Sequence, residues 1–330
     1  MKIIDLFSGI GGFSLGFQKA GYQFTEHYFS EIDKHAIANY KYNFPHAKHI
    51  GDITTLHGGD FRDIDIITFG SPCQNFSTAG RREGLKGAKS SLIQHAIALI
   101  AQLRPSVFVW ENVKGAFSSN AGADFWTILQ ALAHIGGYRL EWQLLNTSWV
   151  LPQNRERIYL IGHLAGRSVP GVFPIGKDDK LLEEKTRKEN RKRTSIKTSL
   201  ARTITARYSK MGSYDTYIVP KVAATLTGGG HSGGLHSDMT VIRHKRGRNK
   251  GVRRLTEIEC ERLQGFPDNW TQYGNYDGVI KPIAKTQRYM LIGNAVTVNI
   301  VELIAKRLKF IVDENIPIRT DKWDGAKLYP

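Results

Sequence analysis

Along its first half the chain repeats one alternation. The apolar runs Ile3–Phe7, Ile64–Phe69 and Val107–Trp110 read as strands, with Tyr28–Glu31 as a further one. Near-continuous apolarity in short runs marks strands buried on both faces. Between them apolar residues recur at helical spacing. Gly12–Ala20 reads as a helix stopped by Gly21, and Asp33 is placed to cap a helix through Tyr42. Ser90 or Ser91 would cap Leu92–Leu103, which ends before Pro105, and Asp124–Ile135 ends at Gly136-Gly137. Leu140–Leu145 and Arg157–Ile161 add two strands. Strands alternating with helices predict an α/β fold with a largely parallel sheet covered on both faces.

From about residue 165 the pattern changes. Residues 166–254 are rich in Gly, Lys, Arg, Ser and Thr, with short β-like runs such as Tyr217–Val219. Order returns at Thr256, where Thr-x-x-Glu forms a capping box for a helix through Gln264, stopped by Gly265. A final helix is expected over Val296–Phe310. The expected domains are therefore 1–164 with 285–330, and a smaller β-rich domain over 165–284.

Charge sharpens that division. The chain of 330 residues carries a formal net charge of +16, yet residues 177–254 alone carry 20 Lys/Arg against 7 Asp/Glu. Residues 1–150 hold 13 against 12, and residues 255–330 hold 10 against 10. A concentrated basic block predicts a polyanion surface on one part of the molecule. No amphipathic apolar face accompanies it, which favours nucleic acid over membrane. No run of 18 apolar residues occurs, and Met1–Phe7 lacks the pattern of a signal peptide. Two cysteines make neither a disulfide framework nor a cysteine zinc site. The expectation is a reducing, cytoplasmic protein without a metal, in which a thiol is free to react.

Four stretches carry candidate chemistry. Asp5-Leu-Phe-Ser-Gly-Ile-Gly-Gly-Phe13 joins the first strand to the first helix, where glycines let a ligand approach and the helix N-terminus favours an anion. Glu31 follows Gly9 by 22 residues at the end of the second strand, the place of a ribose-binding acid in dinucleotide folds. Gly12-Phe-Ser-Leu-Gly16 also fits the hydrolase elbow G-x-S-x-G, but Ser14 falls a turn into the helix, past the bend a nucleophile needs. Gly70-Ser-Pro-Cys-Gln-Asn-Phe-Ser77 puts a thiol on a loop at a strand's carboxyl end, and Phe76 breaks the P-C-x-x-C of zinc deaminases. Trp110-Glu-Asn-Val113 ends the next strand with a carboxyl group suited to acid or base work. In Pro152-Gln-Asn-Arg-Glu-Arg157 two arginines two apart on an extended chain point the same way, a fork toward an anion or a carbonyl.

Taken in order, D-L-F-S-G-I-G-G-F, G-S-P-C-Q-N-F-S, E-N-V, P-Q-N-R-E-R, R-L-T-x-x-E-x-x-R-L-Q-G-F-P and I-G-N-A-V resemble the DNA (cytosine-5) methyltransferase family of bacterial or phage restriction-modification systems, from about residue 3 to 310. The resemblance implies a Rossmann-like catalytic domain dependent on S-adenosylmethionine and a target-recognition domain in the basic stretch. It makes Cys73 the nucleophile that attacks C6 of cytosine. Glu111 would hold N3 and the exocyclic amine, and Arg157 the O2 carbonyl, with Arg155 assisting near Cys73. Phe7, Gly9, Ile10, Gly11, Gly12, Glu31, Ile32, Asp52, Ile53, Pro72, Leu92 and Asn294 would form the cofactor site. The lid after Cys73, with Gln74, Ser77, Arg81 and Arg82, would close on DNA. Arg202, Thr203, Arg207, Thr225 and Thr227 would contact it from the basic block.

In two places the motifs depart from the family's pattern. Ala88-Lys-Ser-Ser-Leu-Ile93 stands where S-R-G-x-L-F is usual, and Trp149-Val150-Leu151 replaces the usual Tyr-Gly before P-Q-N-R-E-R. Expected partners are double-stranded DNA and a cognate restriction endonuclease, with the chain itself a monomer. The alternatives are a tRNA-directed enzyme and a catalytically silent DNA-binding protein. The long basic insert argues against the first, and the intact set of Cys73, Glu111, Arg155 and Arg157 against the second.

Overall fold

A computed structural model describes residues 1–72, 92–176, 223–224, 241–243 and 252–311. Its first half follows the alternation read from the sequence: β1 (Lys2–Leu6), α1 (Gly12–Lys19), β2 (Glu26–Ser30), α2 (Lys34–Asn43), β3 (Lys48–His49) and β4 (Ile66–Phe69). After these come α3 (Leu92–Leu103), β5 (Val107–Val113), a short α4 (Gly115–Ser118), α5 (Ala123–His134) and β6 (Tyr138–Asn146). Asp33 caps α2 as expected, its Oδ1 accepting from the His35 and Ala36 amides at 2.9 Å.

The chain then runs through β7 (Gln153–Asn154), β8 (Glu156–Leu164) and β9 (Ser168–Val169). One seven-stranded sheet is ordered β3-β2-β1-β4-β5-β8-β6. Its first five strands are mutually parallel, and β8 runs antiparallel to both β5 and β6. Consecutive side chains go to opposite faces. Ile4, Ile67, Phe108, Trp110 and Leu160 pack under α3 and α5, while Ile3, Ile66, Val107, Val109 and Ile161 pack on the other side.

From the basic block only three short strands are described: β10 (Ala223–Ala224), β11 (Val241–Arg243) and β12 (Val252–Arg254). β11 pairs antiparallel with β12, and β10 lies parallel to β7. The chain continues with α6 (Glu257–Gln264), the hairpin β13 (Tyr273–Tyr276) and β14 (Val279–Pro282), α7 (Lys285–Asn294), α8 (Val298–Arg307) and β15 (Lys309–Phe310). The capping box of α6 is present, with Thr256 and Glu259 bonded reciprocally.

Three expectations shift. The last helix stops at Arg307 rather than Phe310, because Lys309 and Phe310 turn to pair antiparallel with β9. Sequence periodicity missed α7 and the hairpin. Residues 255–283, expected in the smaller domain, pack against the first one. Leu255, Cys260, Leu263, Phe266 and Ile283 share an apolar cluster with Ile10, Leu15, Phe29 and Tyr40, and the Trp270 indole donates to the Ile10 carbonyl at 2.9 Å. Lys285–Arg307 has the length and hydropathy of a membrane span, but most of its apolar stretch is buried and it is two helices broken at residues 295–297.

A buried polar knot fastens five elements of the parallel half. Asp5 accepts from Ser14, Tyr40 and Thr68 at 2.9–3.1 Å, and His27 Nε2 lies 2.8–2.9 Å from the Tyr40 and Ser14 hydroxyls. Ser14 is wholly buried inside α1, which disposes of the hydrolase elbow. Burial pushes the Asp5 carboxyl up to about 7, against the hydrogen bonds that lower it, and pulls the His27 imidazole down to about 4.

The two groups act on stability with opposite signs. The contribution of Asp5 is complete below about pH 4 and is lost as pH rises through about 7. That of His27 is complete above about pH 6.5 and is lost as pH falls through about 4. Asp5→Asn keeps the shape of the neutral acid. It is therefore expected to gain stability relative to wild type between about pH 4 and 7, by up to about 1.4 kcal/mol per pH unit. Paired urea-denaturation curves measure this difference, and a pH-independent gap would refute it.

Candidate active site

Register places four strand-end residues on one edge of the sheet. Leu6 lies opposite Ser30 and Phe69, and Phe69 lies opposite Trp110. The next residues, Phe7, Glu31, Gly70 and Glu111, therefore stand one step further along the carboxyl ends of four adjacent parallel strands. Strand order reverses between β1 and β4, the crevice where open α/β sheets bind ligands.

On the β1–β2 side the Gly-rich loop turns through left-handed backbone at Phe7 (φ 51°), Gly9 (φ 54°) and Gly11 (φ 80°). A Cβ on Gly11 would lie 2.3 Å from the Phe44 ring, so the turn needs glycine twice over. Gly11 caps α1 without a side-chain hydrogen bond, leaving its N-terminal amides to a ligand. The Ser8 hydroxyl beside it is buried and has no partner among the described residues.

Glu31 fastens this loop. Its Oε2 accepts from the Gly9 amide at 2.9 Å, and its Oε1 from the Ile32 and Asp33 amides at 2.8 and 3.0 Å. Ile32 is 73% exposed at the same edge. Asp52 caps a turn that begins with buried Ile53, and Ser30 ties that turn to β2 by donating to the Gly51 carbonyl at 2.8 Å. The side chain of Ile10 is wholly buried, so only its backbone faces the loop. Leu92 opens α3 and packs against the core, and Asn294 is exposed at the end of α7.

On the β4–β5 side, Glu111 and Arg157 are brought together. Val113 opposes Arg157 across β5 and β8, so Glu111 is its diagonal neighbour, and Arg157 Nε lies 3.1 Å from Glu111 Oε1. Both side chains are only 11% exposed. A Cβ on Gly70 would lie 3.5 Å from Glu111 Oε2, so the loop after β4 leaves the sheet beside this pair. Sequence reasoning missed what holds that loop. The Ser71 hydroxyl accepts from the Trp110 indole at 3.0 Å and from Asn112 Nδ2 at 3.1 Å, all three buried. Its signal was a serine just before the rigid Pro72. Ser71→Ala strands two buried donors and is expected to cost about 1–3 kcal/mol in urea denaturation.

The expected arginine fork is divided. Arg157 goes to Glu111, whereas Arg155, at the break between β7 and β8, sends Nη2 to the Ala295 carbonyl at 2.8 Å and Nη1 to that of Gly293 at 3.4 Å. A break in the strand cancels the same-face rule that predicted the fork. Cys73, Gln74, Ser77, Arg81, Arg82, Arg202, Thr203, Arg207, Thr225 and Thr227 lie outside the described residues. Cys260 is buried on α6, and desolvation pushes its thiol well above the usual range, which keeps it inert.

A Gly-rich loop and a strand-end acid on one side of the switch point, with a paired carboxylate and guanidinium on the other, form an arrangement able to set a cofactor beside a second substrate in an α/β fold. Residues 1–310 match the family model of C-5 cytosine-specific DNA methylases, and the chain belongs to that family. It is a DNA cytosine-5 methyltransferase.

Its relatives are the restriction-modification enzymes the motifs led to. It is 32% identical to the Type II methyltransferase M.Bsp6I of Bacillus sp. (strain RFL6), covering 93% of this chain and 98% of that one. It is 34% identical to M.HaeII of Haemophilus aegyptius, over 92% and 91% of the two chains. Its fold is similar to the S. pombe Dnmt2 methyltransferase, with a TM-score of 0.64 at 21% identity over 93% of this chain and 97% of that one.

Proposed function

We propose that the chain transfers a methyl group from S-adenosylmethionine to C5 of a cytosine flipped out of a specific duplex DNA sequence, through a covalent bond from Cys73 to C6. The observation that carries this reading is the buried Glu111–Arg157 pair beside the Gly70-Ser71-Pro72 loop, whose next residue is Cys73.

Cytosine C5 is a poor nucleophile in the intact ring. Addition of the Cys73 thiolate to C6 pushes the ring electrons toward N3, where Glu111 supplies a proton and holds the exocyclic amine. Arg157 holds O2. The C4–C5 enamine so formed then takes the methyl group at C5. Loss of the C5 proton restores the C5–C6 double bond and expels the Cys73 thiolate, and N3 returns its proton to Glu111. Bound S-adenosylmethionine supplies a methyl group on a sulfonium, which leaves as a neutral thioether.

The chain's own groups fit that cofactor. The α1 N-terminus and buried Ser8 suit its carboxylate, Glu31 suits ribose hydroxyls, and Ile32 and Phe7 offer apolar surface for the adenine, whose amine Asp52 would accept. Gly9, Gly11 and Gly12 let it approach, flanked by Ile53, Pro72, Leu92 and Asn294. A target atom inside a duplex is out of reach, so base flipping is required.

The basic block is assigned to phosphate contacts and base reading in a β-rich recognition domain, and the packing of residues 255–283 on the first domain supports limits of about 177–254 for it. Pairing of β10 with β7 joins it to the loop that carries Arg155. The chain is read as cytoplasmic, monomeric and partnered by a cognate endonuclease. Labelled S-adenosylmethionine incubated with duplex DNA or tRNA, followed by nucleoside digestion, tests the reading. Label in 5-methyldeoxycytidine is expected, and label only in RNA, or none, overturns it.

A further inference from the structure

A second buried polar cluster joins three of the sequence motifs, those of residues 152–157, 254–267 and 292–296. Gln264 and Gln153 are wholly buried, and Thr147, Arg155 and Thr297 are 1–3% exposed. The last carbonyls of a helix have no partner within it. At the end of α7 side chains supply them. Gln264 Nε2 donates to the Ile292 and Ala295 carbonyls, both at 3.1 Å, and Arg155 reaches those of Gly293 and Ala295.

The direction of the remaining bonds follows from valence. Gln264 Oε1 is an acceptor only, so the Thr297 hydroxyl donates to it at 3.2 Å. That hydroxyl therefore accepts from Thr147 at 2.8 Å. One directed chain runs from Thr147 through Thr297 and Gln264 to the turn 292–295. Thr147 begins the loop that ends in Arg155 and Arg157, and its amide donates to the Arg155 carbonyl at 2.9 Å. Gln153 Nε2 completes the tie by donating to the Leu263 carbonyl at 3.3 Å.

The turn so held borders the Gly-rich loop. A Cβ on Gly12 would lie 2.7 Å from Val296 Cγ2 and 3.3 Å from the Val296 carbonyl. Asn294 is the exposed residue of this otherwise buried turn. We propose that Gln264 is a positioning residue for methyl transfer: through Thr297 and the carbonyls of 292 and 295 it fixes the turn bearing Asn294 against the N-terminus of α1, and so sets cofactor affinity from outside the cofactor site. The proposal rests on the cofactor reading above.

Calorimetric titration with S-adenosylhomocysteine, the demethylated product, tests it without turnover. Gln264→Met removes both donors and the acceptor, and Thr297→Val removes the relaying hydroxyl at constant shape. Each is expected to raise the Kd for S-adenosylhomocysteine about tenfold, with the Kd for duplex DNA unchanged. Thr297→Ser, which restores the hydroxyl, is expected to bind within about twofold of wild type. Lower Tm in Gln264→Met and Thr297→Val with wild-type affinity would overturn the proposal and leave a structural role only. Should Gln264→Met fail to fold, Thr297→Val decides alone. A wild-type chain that does not bind S-adenosylhomocysteine would instead overturn the cofactor reading.

Discussion

Cys73→Ala is expected to abolish methyl transfer while leaving the cofactor and DNA bound as before. The methyl group has no route to C5 unless electron density is first driven there, and only a nucleophile at C6 does so. Loss of a nucleophile from a group that acts as a unit costs roughly 10⁴-fold or more in kcat. The described structure offers no substitute thiol, since Cys260 is buried on α6 with its thiol held protonated by desolvation. Transfer of labelled methyl to duplex DNA measures the effect, alongside gel-shift titration of the same variant. Turnover that survives the substitution would refute the covalent mechanism.

Glu111→Gln comes next in size. The amide keeps the shape and a donor for N3, but it has no acidic proton to give as charge builds on the ring. A positioned acid contributes about 10²–10⁴-fold, so kcat is expected to fall by that range with the KM for cofactor little changed. Stability should fall too. Arg157 would keep its charge with 11% exposure and lose the carboxylate 3.1 Å away. Removing one member of a buried pair costs up to about 3–5 kcal/mol, which denaturation measures separately from kcat in the same sample. A variant with wild-type kcat would remove Glu111 from the chemistry.

What was legible in the sequence was local. Asp33 and Thr256 announce their caps because the amides they bind lie two or three residues away. The strands of the parallel half announce themselves because burial on both faces leaves continuous apolar runs. The hairpin at 273–282 was hidden because its sequence, Tyr-Gly-Asn-Tyr-Asp-Gly-Val-Ile, alternates weakly and leaves Val279 and Ile280 exposed. Arg155 was misjudged for a different reason. Its direction is set by carbonyls 138 and 140 residues further on, and no periodicity reports on partners at that distance. The Gln264 junction is hidden in the same way. Family motifs marked the residues as a set, and only packing shows that three of those motifs serve one turn.

Helix α8 returns from the far side of the basic block to cover the sheet beside α1, where the Tyr22 hydroxyl donates to the Ala305 carbonyl across 283 residues of chain. The core of the catalytic half therefore closes only when nearly the whole polypeptide is available. During synthesis all seven strands of the sheet must wait, with Ile3, Ile66 and Val109 uncovered, until Val301 and Ile304 emerge. High contact order of this kind makes folding slow and exposes apolar surface on the way. A nascent chain stopped before α8 is a species for chaperones and proteases, and methylation capacity would lag translation by the time this last helix takes to dock.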